Sequence, residues 1–242
     1  LLYGSKDPEF YDFELIIDVN SPDFIKDNNP NHEILYMQSF NDKLYLTVNN
    51  TEEGMEVWRS NSSEIKMNNW KLVADKGFGD KMNVSSDKAY VYKDYLYIVA
   101  FKYWRLEYIL PMAADLVRID KNDKWDLVVG GEPLIPTNPT TGKREVSLSG
   151  YESGFSNSFN TSISYLLNVN DTLVAMTTNT ACNISAIREI TILNKDTLIN
   201  IVSEKVYNVI VDFYDYILSK IEEGVCPTGF DIYTSTDGIN FR

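Results

Sequence analysis

The sequence predicts an all-β fold made of four-stranded antiparallel units in series. Three observations predict it: short strings that recur in the same order, aspartate-centred turns flanked by alternating apolar runs, and aliphatic strands led by an aromatic residue.

The recurring strings come first. GMEVWRS (Gly54 to Ser60) and GFDIYTS (Gly229 to Ser235) share glycine, an apolar residue, an acid, a β-branched residue, an aromatic, a polar residue and serine. GFGDKMN (Gly77 to Asn83) and GFSNSFN (Gly154 to Asn160) share Gly-Phe at their start and asparagine at their end. The turns follow in FNDKLYL, YKDYLYI, VNDTLVA and FYDYILS, whose aspartates are Asp42, Asp94, Asp171 and Asp215. An acidic residue between two alternating apolar runs reads as a tight hairpin. The aromatic-led strands are FELII from Phe13, WKLVA from Trp70 and WDLVV from Trp125.

Assembled in order, strand a enters the hairpin, strand b leaves it, strand c carries the VWRS-like segment and strand d begins at the aromatic. The units span about 33–75, 87–129, 160–202 and 206–242, with a lone outer strand at 13–19, in one domain covering 1–242. Four-stranded units of this length in series predict a β-propeller, because no single blade buries both of its faces. Four blades are visible, and the pattern also fits a larger propeller. One stretch carries two readings: Val206, Val209, Ile210, Phe213, Ile217 and Ile221 have helical spacing between Ser203 and Gly224, whereas their β-branched and aromatic content and the match of Phe213 to Phe40 favour strands.

The segment Ser235-Thr236-Asp237-Gly238-Ile239-Asn240-Phe241 resembles a short Asp-box, the turn of sialidase-like (bacterial neuraminidase repeat) propellers. The resemblance implies that serine and aspartate bond turn amides between strands c and d and that the aromatic anchors the turn. Glycine belongs where a positive φ is needed. The GFG, FNDKLYL and GMEVWRS strings are similar to uncharacterised repeat propellers of secreted bacterial and archaeal proteins. What this implies is a fold, since the fold hosts many activities. Closure is expected either from Phe13 to Val19 completing the last unit or from further blades beyond Arg242.

Lysine plus arginine number 22 against 35 acidic residues, a net charge of -13 that opposes nucleic acid and anionic membranes as partners. No apolar run is long enough to span a bilayer, so no membrane insertion is expected. Sequons at Asn49, Asn61, Asn83, Asn160, Asn170 and Asn183 point to a glycoprotein at the cell surface or outside the cell. For Asn83 and Asn160, equivalent by repeat, a role in hydrogen-bonding the turn competes with glycosylation. Cys182 and Cys226, both placed in b-to-c connections, are expected to form one disulfide.

Strand alternation opens two insertions, 101–114 and 131–153, on the same face. The first gathers Tyr103, Trp104, Arg105 and Tyr108, the aromatic-plus-arginine composition of a carbohydrate platform or a protein anchor. The second, rich in proline, reads as an exposed loop. Catalysis finds little support. His32 is the single histidine, and Arg59, Arg105, Arg118, Arg144, Arg188 and Arg242 match no catalytic arginine motif, so no catalytic residue and no metal ligand is assigned. Paired carboxylates for glycoside hydrolysis remain open. No cofactor is expected; the DKND turn and the stretch 18–29 are acidic enough to suggest Ca²⁺ but lack the spacing of a calcium loop. The expected function is that of an extracellular, non-enzymatic propeller acting as an interaction or assembly module with a protein or glycan partner. The alternative is a carbohydrate-active propeller, either glycan-binding or a divergent glycosidase.

Overall fold

The computed structural model describes residues 2–17, 33–63, 65, 69–102 and 111–242. An N-terminal pair of strands, β1 (Leu2–Gly4) and β2 (Glu14–Ile17), is followed by two four-stranded antiparallel sheets. The first sheet contains β3 (Glu33–Phe40), β4 (Lys43–Asn49), β5 (Glu56–Ser60) and β6 (Trp70–Ala74). The second contains β7 (Asn83–Tyr92), β8 (Tyr95–Lys102), β9 (Asp115–Ile119) and β10 (Trp125–Val129). The third contains β11 (Asn160–Val169), β12 (Thr172–Asn179) and β13 (Ile232–Ser235), and Arg242 begins a fourth line by exchanging both backbone hydrogen bonds with Thr234. The chain is mostly β, and every sheet is antiparallel.

Three of the four expected hairpin turns sit where the aspartates place them, at Asp42, Asp94 and Asp171. Asn41–Asp42 and Asn170–Asp171 hold φ between 48° and 56° at both positions, the two-residue turn whose twist matches its flanking strands. The third-strand match also holds, because β5 and β13 pair with the strand before them in the same register: Tyr45 with Arg59, and Val174 with Thr234. A strand that sequence reasoning missed is β1. Leu2-Tyr3-Gly4-Ser5 repeats Val57-Trp58-Arg59-Ser60, and its pairing with β2 carries the same bulge as the pairing of β5 with β6. The N-terminal pair thus matches the third and fourth strands of the first sheet.

The sheets stack face to face through three apolar layers. Ile17 meets Leu46, Val48 and Trp58; Tyr45, Val57 and Phe78 meet Leu96, Ile98 and Trp125; Tyr97, Val99 and Leu116 meet Leu173, Ala175 and Phe241. Each layer uses one face of a sheet and the opposite face of the next, as strand alternation dictates. The GF-x4-N strings are the links between sheets. Gly77 and Phe78 hold φ of 60° and 57°, Gly154 and Phe155 hold 65° and 58°, so both links make the same left-handed turn. In each, the glycine amide bonds the start of the third strand behind it (Met55 O, Ala114 O), and that strand's amide bonds the asparagine carbonyl ahead (Asn83 O, Asn160 O).

The largest departure from expectation lies between β12 and β13. Residues expected to supply the last two strands of a unit at 160–202 and the first two of a unit at 206–242 form three helices: α1 (Ile184–Leu193), α2 (Lys195–Val202) and α3 (Glu204–Glu222). The two expected units are therefore one sheet with a helical insertion in its b-to-c connection. Helical spacing prevails over β-branched content because Tyr214 and Ile217 reach one face and bury together with Ile184 and Phe159. Asp215 is accordingly no turn residue; it pairs with Arg188 of α1.

Candidate functional site

The repeat itself locates a site, since positions that match in every sheet serve the stack and positions that depart in one sheet serve something local. The third strand starts at an acid each time: Glu56, Asp115 and Asp231. In the second and third sheets an asparagine clamps that acid in the same way. Asn83 Nδ2 donates to Asp115 Oδ2 and Gly77 O, and Asn160 Nδ2 donates to Asp231 Oδ2 and Gly154 O, all at 2.9 Å.

The next equivalent position is Asn50, Lys102 and Asn179 in successive sheets, two residues beyond the neighbour of the acid on the second strand. The two asparagines cap their own turns: Asn50 Oδ1 accepts from the Glu52 and Glu53 amides, Asn179 Oδ1 from Ala181. Lys102 departs. It is 3% exposed, and its Nζ donates to Asp115 Oδ1 at 2.7 Å and Ala113 O at 3.2 Å, and lies 3.8 Å from Asp80 Oδ2. Arg144 arrives from the 131–153 insertion, its Nη2 donating to Asp115 Oδ2 at 2.9 Å and to Gly131 O at 2.8 Å. Ser153 Oγ donates to Asp115 Oδ1 at 2.5 Å. Asp80 accepts from the amides of Met82, Leu134 and Ile135.

The second sheet thus ends in a buried tetrad of two cations and two carboxylates, Lys102, Arg144, Asp80 and Asp115. Burial pushes the Asp115 carboxyl up, but the Lys102 and Arg144 charges and the hydrogen bonds from Lys102 and Ser153 more than reverse it and hold it at about 2. Removing one member would leave an uncompensated buried charge, so the tetrad locks the insertion against the sheet ends.

That insertion is not the plain exposed loop its composition suggests. Thr140 N donates to Asp75 Oδ1, Thr141 Oγ1 to Val73 O, Thr137 Oγ1 to Lys76 O, and Trp125 Nε1 to Thr141 O, at 2.6 to 2.8 Å. It bridges the ends of the first and second sheets and walls a cleft of about 870 Å³. Gly79, Gly131, Pro136, Pro139 and Val146 form the apolar part of its lining; Glu132, Glu145, Glu152, Lys143 and Arg144 form the charged part. Because Arg144 is spent on Asp115, the free charge of the cleft is three carboxylates against Lys143.

A second polar cluster sits at the opposite strand ends. Asp123, in the turn between β9 and β10, accepts from Arg59 Nε and Nη2, from Lys71 Nζ and from Tyr45 Oη, all at 2.7 to 3.0 Å. Burial raises the Asp123 carboxyl, and the hydrogen bonds from Arg59, Lys71 and Tyr45 bring it down to about 2. Burial and the Asp123 hydrogen bond both push the Tyr45 hydroxyl up. The corresponding contact one sheet on is Tyr97 Oη donating to Gly238 O at 3.2 Å. Both clusters seat a c-to-d turn on a tyrosine of the preceding sheet.

The Ser235 to Phe241 turn is held by its own side chains. Asp237 Oδ1 accepts from the Ile239 and Asn240 amides at 2.8 Å, Ser235 Oγ accepts from the Gly238 amide at 2.9 Å, and Phe241 is buried edge-on against Phe155. In the DKND turn, Asp120 Oδ1 accepts the Asn122 and Lys124 amides, so both aspartates there are spent on protein donors. Among the described residues no group of three His, Cys, Asp or Glu side chains is arranged to hold a metal ion.

The residues singled out from sequence fare unevenly. Tyr103, Trp104, Arg105 and Tyr108, the acidic stretch 18–29 and His32 lie outside the described residues. Arg59, Arg118, Arg144 and Arg188 are each paired with an aspartate of the chain and do not converge. Asn83 and Asn160 correct the glycosylation expectation. Both are fully buried, and the Nδ2 that a glycan would occupy is already donating two hydrogen bonds. Asn49 is half-buried, whereas Asn61, Asn170 and Asn183 are exposed.

The disulfide expectation is also corrected: Cys182 and Cys226 are free thiols. They flank the helical insertion of one connection instead of lying in neighbouring loops. Cys182 donates to Asn179 O, and Cys226 packs among the helix side chains, where burial raises its pKa. A thiol reagent applied to the native protein should therefore titrate two groups per chain, the exposed Cys182 first and Cys226 more slowly. Recovery of no thiol until a reductant is added would restore the disulfide.

Lys102 and Arg144 are the functional candidates that sequence reasoning missed. The signal was available in the repeat, where lysine stands against two asparagines. Comparison with family models, with curated proteins and with solved structures yields no match to the chain.

Proposed function

We propose that the chain is a propeller-type stack of blades that acts by binding, outside the cell or on its surface, and that the cleft beside the Lys102–Asp115–Arg144 network is where a protein partner docks. The observation that carries this reading is the locked insertion. Among the described residues a buried ionic tetrad occurs in the second sheet, and its effect is to hold a proline-lined cleft rigid, which lowers the ordering cost of binding. The excess of carboxylates around the cleft suits a partner segment carrying lysine or arginine. The described lining has no aromatic ring on which a sugar could stack, so a peptide fits better than a glycan.

Support for the propeller reading comes from the face-to-face sheets, the repeated Gly-Phe links and the self-bonded Ser235 to Phe241 turn, which behaves as an Asp-box resemblance implies. Asn61, Asn170 and Asn183 are the sequons that the proposed compartment would glycosylate. Panning a random peptide library on the purified chain is expected to enrich basic peptides, with affinity falling steeply as salt is raised. The double variant Glu132→Lys, Glu145→Lys should weaken them at least tenfold while leaving the fold intact. Enrichment of acidic or uncharged peptides, or indifference to the charge reversal, would remove the cleft as the site. Selective binding on a glycan array would instead favour the carbohydrate reading.

A further inference from the structure

The wall of the cleft carries a period that the stack of sheets does not need. The first two sheets are joined by a short link, Ala74 leading almost at once into the Gly77 turn, whereas Val129 and the Gly154 turn are separated by the whole 131–153 insertion. Within that insertion the prolines recur at every third position, and Pro133, Pro136 and Pro139 all line the cleft while Leu134 and Ile135 do not. The anchors come from the residues between them. Asp80 accepts from the Leu134 and Ile135 amides, Ile135 O accepts from the Lys81 amide, and the Thr137 and Thr140 amides donate to Gly79 O and Asp75 Oδ1. A proline has no N–H to give, so this division fixes the backbone and leaves the three rings uncommitted.

A fixed row of proline rings selects what covers it. Proline rings pack well on the flat faces of aromatic side chains, the pairing that grooves for proline-rich segments use, and an aromatic ring buries a large area at little cost in side-chain entropy. Here the prolines belong to the cleft, and its described lining holds no aromatic residue, so the ring has to come from the partner. Glu132 directly precedes the first proline, and Glu145 and Glu152 are exposed elsewhere on the lining, so a segment that covers the prolines also meets carboxylates. At about 870 Å³ the cleft has room for several side chains at once. On the reading that this cleft is the docking site, we propose that its partner is a segment pairing a tyrosine or tryptophan with a neighbouring arginine or lysine. The ring lies on the Pro133–Pro136–Pro139 wall and the cation on Glu132 or Glu145. Salt separates the two contributions, because screening weakens the ion pairs and leaves the ring packing in place.

Titration calorimetry with the basic peptides that panning enriches on the purified chain tests this. Those peptides are expected to carry tryptophan or tyrosine beside their basic residues. Replacing that ring with leucine should weaken binding to the wild type about tenfold, and by no more than about threefold to the double variant Pro133→Ala, Pro136→Ala, which keeps every anchor between the prolines. Replacing the basic residue with glutamine should weaken binding to both proteins alike, which also shows the variant to be folded. Basic peptides that bind as well with leucine as with the aromatic residue overturn the aromatic assignment and leave the docking site standing. So does a ring whose loss costs the same with and without the prolines. Failure to enrich basic peptides at all removes the docking site, and this assignment with it.

Discussion

Asp115→Asn is expected to cost about 3–5 kcal/mol of stability, because it removes the one carboxylate that both Lys102 and Arg144 share and leaves two buried cations with only Asp80 to offset them. The repeat provides an internal control. Asp231 occupies the equivalent position and takes the same asparagine hydrogen bond but no cation, so Asp231→Asn should cost about 1 kcal/mol. Urea denaturation of both variants at neutral pH decides the point. Equal losses would mean that the ionic tetrad adds nothing to what the clamp already supplies.

The same carboxylates set an acid limit. Asp115 and Asp123 each lie at about 2 in the folded chain, against an ordinary value near 3.8. A depressed carboxylate binds its proton more readily in the unfolded state, so its contribution is fully present above pH ~4 and is lost as pH falls through about 2. The urea midpoint of the wild type should drop steeply across that window. Asp115→Asn, with one titrating group removed, should show a shallower drop.

Gly238→Ala is expected to cost about 2–4 kcal/mol, from two causes that act on one atom. Gly238 holds φ at +78°, where an L side chain is strained by about 1 kcal/mol or more. A β-carbon there would lie 1.9 Å from Tyr97 Oη and 2.9 Å from Tyr97 Cζ, and Tyr97 is fully buried between sheets, so it cannot yield without overpacking its layer. Tyr97→Phe alone loses one hydrogen bond to Gly238 O, a cost of about 1 kcal/mol. The double variant should be less damaged than the sum of the singles, since deleting the hydroxyl removes the closest clash. A double-mutant cycle on thermal or urea unfolding measures that coupling. Strict additivity would show that the turn does not seat on Tyr97.

Both predictions grow from positions that the repeat exposes, and the repeat was legible because it lives in short-range chemistry. Asparagine and aspartate at Asn41–Asp42 and Asn170–Asp171 tolerate the left-handed turn, glycine permits the Gly77 and Gly154 links, and alternation sorts Leu44, Leu46 and Val48 onto one face. The third-strand match of GMEVWRS to GFDIYTS survived an insertion of three helices between β12 and β13, because a strand is recognised by its own register and not by its distance from the last one.

What was illegible depends on contacts distant in sequence. β1 has three residues, too few to show a period. α3 carried helical and strand signals together, and the decision came from Tyr214 and Ile217 finding Ile184 and Phe159 across the insertion. Lys102 and Arg144, 42 positions apart, read as an ordinary basic residue and a loop arginine until the fold placed them on Asp115. From residues alone, then, came the antiparallel four-stranded units, three of their hairpin turns and the recurrence of the Gly-Phe strings, all fixed by local backbone preference. Tertiary structure alone decided that the last two units are one sheet, that the proline-rich loop is a rigid cleft wall, and that the charged site lies in the second sheet. Burial turns a choice between near-equal local conformations, or a charge with no evident partner, into a definite structure, and burial is a property of the whole chain.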